Sequence, residues 1–240
     1  VKGFNERMLA SAKERRSRLV LALDIAGPFS DRIRRAEKVL DATKDGVAAV
    51  KLNQHLLLPF GLEGVKGIIS QCRAAGLPTI ADLKLNDIEA TNLNALDSLL
   101  SYGIDAVIAN PFVGKEEGLG AVIKASHLGG GGVILLVYMS HAGAKEGFAL
   151  RTEEGEPLYR VFAERARDWG ADGVVVSAMS PAIIEETRRV VGRSCLIFCP
   201  GVGAQGGRLE AAKGADFYIV GRSITESPDP REALRRVAST

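Results

Sequence analysis

Short apolar runs alternate with amphipathic stretches along this whole chain, and no other feature constrains the fold as much. The runs cover residues 19–23, 48–52, 79–83, 106–110, 133–137, 173–176, 196–199 and 217–220. Each has the length and apolar character of a buried strand. Between them lie helix-period patterns at 31–40, 62–75, 90–100, 115–126, 158–169, 182–191, 208–213 and 231–237. A charged helix pattern from 5 to 18 precedes the first run. Three connectors share one form: Gly103-Ile104-Asp105, Gly170-Ala171-Asp172 and Gly214-Ala215-Asp216. A glycine that caps a helix, followed by a short link to the next strand, accounts for the recurrence. Eight strand–helix units in 240 residues predict a single α/β domain, a closed (β/α)8 TIM barrel over 1–240 with an extra N-terminal helix. An open doubly wound sheet is the alternative.

Composition narrows the function classes. The net charge is +2, which calls for neither a nucleic-acid nor a membrane partner. No apolar run approaches the ~20 residues that span a bilayer. The 5–18 helix is charged throughout and lacks the apolar centre of a signal peptide. Cys72, Cys195 and Cys199 have no metal-type spacing and read as reduced thiols, so a cytoplasmic location is expected. His55, His127 and His141 are too scattered to suggest a zinc site.

A barrel places its chemistry on the C-terminal ends of its strands. The polar residues at those ends are Asp24, Lys51, Asp82, Lys84, Asn110, Ser140, Ser177, Gly221 and Arg222. The third run is the most telling. Strand side chains alternate faces, so Ile80, Asp82 and Lys84 share one face while Ala81 and Leu83 take the other. Charge inside a sheet covered on both sides must be compensated. Asp87 follows three residues later, giving an ammonium between two carboxylates. A structural ion pair is the competing reading. In it Asn86 and Glu89 form a capping box, with Asp87 at the first helical position.

Two glycine-rich segments follow the seventh and eighth runs: Pro200-Gly201-Val202-Gly203-Ala204-Gln205-Gly206-Gly207 and Val220-Gly221-Arg222-Ser223-Ile224. Glycines allow close backbone approach to an anion, and Arg222 adds a bidentate cation. Loops after strands 7 and 8 are the usual phosphate site of such barrels. Residues 139–157 form the longest irregular stretch and read as an active-site lid or a disordered insertion. Gly129 to Gly132 reads as a flexible turn at the opposite end, without a catalytic role.

These motifs, with Leu21-Ala22-Leu23-Asp24, Val50-Lys51, Asp82-Leu83-Lys84-Leu85-Asn86-Asp87-Ile88, Thr91 and Met139-Ser140-His141, resemble the orotidine 5′-monophosphate decarboxylase family of compact microbial and archaeal type. The likeness runs from Leu19 to Ile224. The Asp-x-Lys-x-x-Asp pattern is shared with keto-sugar-phosphate decarboxylases and hexulose-phosphate aldolases, which remain the runner-up. The continuation from Ile88 to Thr91 and the Gly201–Gly207 loop favour the orotidylate enzyme. The resemblance implies cofactor-free and metal-free conversion of orotidine 5′-monophosphate to uridine 5′-monophosphate, the last step of de novo pyrimidine biosynthesis. It implies that Lys84 protonates C6, that Asp82 adjoins the substrate carboxylate, and that Asp24 and Lys51 bind ribose hydroxyls. Ser140 would read the pyrimidine. Gln205 would bridge base and phosphate, and Pro200, Gly221 and Arg222 would complete the nucleotide site. Asp87 and Thr91 would reach the site of the partner in a homodimer. After Ser140 the chain reads Ala142-Gly143-Ala144-Lys145-Glu146-Gly147, where the family commonly has Pro-Gly after the histidine, and the insertion that follows is long.

Overall fold

The computed structural model describes residues 2–202 and 212–239. Eight strands close into a barrel in sequence order: β1 (Leu19–Ala22), β2 (Ala49–Asn53), β3 (Thr79–Leu85), β4 (Ala106–Ala109), β5 (Gly132–Tyr138), β6 (Gly173–Val176), β7 (Leu196–Pro200) and β8 (Phe217–Val220). Every neighbouring pair is parallel, and β8 pairs back onto β1 through Leu19–Tyr218, Val20–Ile219 and Leu21–Val220. The (β/α)8 expectation is met, and the open sheet is excluded by this closure.

Period-2 alternation sorts the strand residues into two cores. Val20 and Ala22, Ile80, Ala106 and Ile108, Ile134 and Leu136, Phe198, and Ile219 fill the barrel interior. Leu19 and Leu21, Val50 and Leu52, Ala81, Val107, Ile197 and Val220 face the surrounding helices. Those helices include α1 (Phe4–Arg15), α2 (Arg32–Thr43), α3 (Gln54–Ala74), α4 (Glu89–Tyr102) and α5 (Gly120–Leu128). They continue with α6 (Ala144–Phe148), α7 (Leu158–Trp169), α8 (Pro181–Val191), α9 (Arg222–Thr225) and α10 (Pro230–Ala238). The extra helix α1 stoppers the barrel floor: Phe4 and Met8 are buried in the interior cluster. Gly132 is part of that floor rather than of a flexible turn. It opens β5, and a Cβ there would lie 2.6 Å from the Phe4 ring.

The repeated Gly-x-Asp connector has two parts. Gly103 and Gly170 cap α4 and α7 at φ +90° and +75°, as the sequence implies, whereas Gly214 is not left-handed. Each aspartate, however, reaches back to the preceding strand. Asp105 accepts from Thr79 N at 2.8 Å, Asp172 from Val133 N at 2.8 Å, and Asp216 from Ile197 N at 2.7 Å. These carboxylates tie neighbouring strand beginnings together.

Two expectations are corrected. Helix α3 starts at Gln54 rather than 62, because a helical segment carrying Pro59 joins it across a kink at Gly61, φ +61°. Asn86 does not cap α4. The helix begins at Glu89 with Ile88 in the cap position, and Asp87 Oδ1 accepts from Ile88 N instead. Asp87 therefore lies before the helix, not at its first position. Most of the 139–157 stretch is turn and loop. It contains α6 and a small turn in which Arg151 bridges Pro157, and Phe148 packs on Tyr138 and Phe162. The expected 208–213 helix lies mostly outside the described residues.

Candidate active site

At the C-terminal mouth the interior alternation runs out of apolar residues. On β2 the inward series is Ala49, Lys51 and Asn53; on β3 it is Ile80, Asp82 and Lys84. Strand β3 keeps its ladder further than expected, to Leu85, but its register on β4 slips between Ala81 and Leu85. Within that bulge Lys84 adopts φ +51°. A left-handed lysine costs about 1–3 kcal/mol, a strain found mostly at functional positions.

The slip aims Lys84 back at Asp82. Asp82 Oδ1 accepts from Lys84 Nζ at 2.6 Å, and its Oδ2 accepts from Lys51 Nζ at 2.7 Å. One buried carboxylate thus bridges two ammonium groups. Burial pushes the Asp82 carboxyl up, but the Lys51 and Lys84 charges and their hydrogen bonds outweigh it, so its pKa falls below the ordinary value. Lys51 also lies 3.9 Å from Asp24 Oδ1. Asp24, Lys51, Asp82 and Lys84 line one cavity together with Ser140, Pro200, Gly221 and Arg222. Its wall is completed by Ile108, Leu136, Met139, Val175 and Ile219.

The cavity has a neutral pole and a positive one. Two carboxylates and two ammoniums cancel at the β1–β3 side. Across the mouth Arg222 is exposed and forms no salt bridge among the described residues, so its guanidinium is free for an anion. Gly221 is required beside it. A Cβ there would come within 2.9 Å of Asp24 Oδ2 and 3.4 Å of Ala22 Cβ. Gln205 and the rest of the Gly203–Gly207 loop lie outside the described residues.

Not every rim residue belongs to the site. Asn110 Oδ1 accepts from Phe112 N at 3.0 Å and Ser177 Oγ from Met179 N at 3.1 Å; both shape turns and neither lines the cavity. Asp87 and Thr91 are exposed and do not line their own chain's cavity. Asn53 was missed by the sequence reading. Its Nδ2 donates to Asp24 Oδ1. The signal was present, since Asn53 lies two residues beyond Lys51, but the apolar run ends at 52. Among the described residues no three His, Cys, Asp or Glu side chains converge as a metal-binding group. Burial pushes the Cys72, Cys195 and Cys199 thiols up to about 12, which suits inert core residues. No helix among the described residues is long and apolar enough to cross a membrane.

Known proteins resemble this chain in sequence and fold. The profile of the orotidine 5′-phosphate decarboxylase / HUMPS family covers residues 17–237. The chain is 39% identical to orotidine 5′-phosphate decarboxylase of Thermococcus kodakarensis over 224 residues, 92% of this chain and 95% of that protein. It is 38% identical to the Pyrococcus abyssi protein of the same name, over 91% of this chain and 96% of that one. A crystal structure of orotidine 5′-monophosphate decarboxylase from Methanocaldococcus jannaschii, complexed with the inhibitor BMP, superposes with a TM-score of 0.79 at 31% identity. That match covers 93% of this chain and 97% of that chain. A barrel with this rim, matched over nearly its full length by these relatives, belongs to the orotidine 5′-phosphate decarboxylase / HUMPS family.

Proposed function

We propose that this chain is a carboxy-lyase that converts orotidine 5′-monophosphate to uridine 5′-monophosphate. The observation that carries the reading is the Asp82 carboxylate held between Lys51 and Lys84 at the barrel mouth. Loss of carbon dioxide from C6 of the pyrimidine breaks the carbon–carboxylate bond and leaves its electron pair on C6. An ammonium fixed against that carbon stabilises the developing charge and then supplies the proton. Lys84 is that group, and Lys51 holds Asp82 from the other side so that its carboxylate stays beside Lys84. Asp82 also sets a negative charge next to the departing carboxylate. Asp24 and Lys51 bind the ribose hydroxyls, Ser140 reads the base, and Pro200, Gly221 and Arg222 hold the far end of the nucleotide, with Gln205 between. Binding energy from the phosphate, remote from C6, organises the site, with the 139–157 segment closing over it. The sugar-phosphate alternative is not favoured, since the curated relatives carrying the orotidylate name are 33–39% identical over nearly the whole chain.

The partner reading is a homodimer in which Asp87 and Thr91 serve the neighbouring site. Both are exposed and neither lines the cavity of its own chain. Ile88 beside them is 64% exposed, and Thr91 opens onto a shallow groove with Ala90, Asn94, Ala95 and Ser98 on α4. Such small side chains permit close approach of a second copy.

Incubation with orotidylate, following the loss of its near-ultraviolet absorbance, tests the activity; no loss at micromolar enzyme overturns it. Mixing Lys84→Ala and Asp87→Ala proteins tests the partner reading. Random exchange makes about half the dimers mixed, each with one intact site, so about a quarter of wild-type sites return. Exchange proved by mass spectrometry without a rise in activity refutes the shared site.

A further inference from the structure

We infer that Asn53 is a positioning residue for Asp24, holding that carboxylate off Lys51 and turned toward the bound sugar. The inference rests on the functional reading above. Asn53 is the last residue of β2 and shares the inward face with Lys51. It is also the N-cap of α3, where its Oδ1 accepts from His55 N at 2.9 Å. A backbone N–H can only donate, so this contact settles which way the amide points. His55 Nδ1 lies 3.0 Å from the same oxygen and reinforces it when that nitrogen carries its hydrogen. The amide nitrogen is thereby turned to Asp24, and Nδ2 donates to Asp24 Oδ1.

Asp24 needs such a partner. It lies beyond the end of β1, so no strand ladder fixes it. Among the described residues Asn53 is its one hydrogen-bond donor; Lys51 Nζ, at 3.9 Å, is too far to be another. Its second oxygen, Oδ2, faces Gly221, where the missing Cβ leaves room at the cavity wall. The result is a carboxylate with one oxygen anchored and one presented to a ligand. Without the amide, nothing keeps Asp24 from closing on Lys51 as a direct ion pair. That would compete with the 2.7 Å Lys51–Asp82 bond on which the position of Lys84 depends.

Asn53 has two jobs, and two substitutions separate them. Asn53→Asp keeps an acceptor for the α3 cap but removes the donor and sets a second carboxylate against Asp24. Asn53→Ala removes both. We expect Asn53→Asp to stay folded, yet to lose about 10- to 150-fold in kcat/KM for orotidylate and to bind uridylate correspondingly more weakly by calorimetry. In an Asp24→Ala background, Asn53→Ala should change kcat/KM by no more than about twofold, since a residue acting through Asp24 has nothing left to act on. Wild-type activity in Asn53→Asp, or an undiminished Asn53→Ala loss without Asp24, reduces Asn53 to a helix cap and overturns the inference. A wild-type chain that neither binds uridylate nor consumes orotidylate is a different result: it removes the functional reading itself, and this inference with it.

Discussion

The two ends of the barrel both carry buried or half-buried aspartates next to cations, yet the partners of those aspartates differ in kind. At the floor, Asp105, Asp172 and Asp216 each accept a backbone N–H from the preceding strand, and each is paired with a cationic or titratable side chain: Arg7, His127 or Arg188. At the mouth, among the described residues, Asp82 accepts only from the two ammonium groups of Lys51 and Lys84. A backbone donor cannot leave when its acceptor changes, so a floor aspartate is bound into the fold. A lysine on a flexible stem can turn to a ligand, so a mouth aspartate holds its partners in readiness. Residue type alone therefore does not separate structural from chemical carboxylates; the mobility of what they bind does.

That contrast is open to direct test. The largest effect is expected at the mouth. Lys84→Ala should lower kcat by at least about 10²–10⁴-fold, the range for a lost general acid, while uridylate binding by calorimetry and the melting temperature stay near wild type. A variant within tenfold of wild-type kcat would mean that another group delivers the proton.

A floor substitution should show the reverse pattern. Asp172→Ala strands the Val133 N–H and the His127 ring, and should cost about 1–3 kcal/mol in urea unfolding. Its kcat per folded molecule should remain within about twofold of wild type. Loss of turnover without loss of stability would erase the distinction between the two ends.

The smallest effect concerns pH. The Asp82 pKa is depressed in the folded chain, so its contribution to stability is fully present above the unfolded carboxylate value, about 3.9. It is lost only as pH falls below that value and through the lower folded pKa. The difference in melting temperature between wild type and Asp82→Asn should be level from pH 7 to about 4 and change below it. A difference that shifts between pH 5 and 7 would show that Asp82 is not the depressed group.

Much of this was legible in the chain. Period-2 alternation placed Ile80, Asp82 and Lys84 on one face and Ala81 on the other, and the interior cluster and cavity lining bear that out. The position of polar residues after apolar runs located the mouth and its polar lining. Local signals failed where longer-range contacts competed. Asn86 and Glu89 carry the residues of a capping box, but the β3 ladder runs to Leu85 and Asp87 takes the Ile88 N–H, so the helix starts later. Asn110 and Ser177 stand at strand ends like Asp82 does, yet their oxygens are spent on their own turns.

The sequence by itself determined the number of strand–helix units, the inward face of each strand and the end where charge would gather, because these follow from alternation and from the cost of burying charge. Only the tertiary structure decided which charges meet. The register slip between β3 and β4 bends Lys84 back onto Asp82. The β2–β3 register, which pairs Asn53 with Asp82, brings Lys51 to the other carboxylate oxygen. The closure of β8 onto β1 sets Gly221 against Asp24. Each of these joins residues far apart in the chain, and barrel closure is a cooperative result of all eight strands that no local window contains.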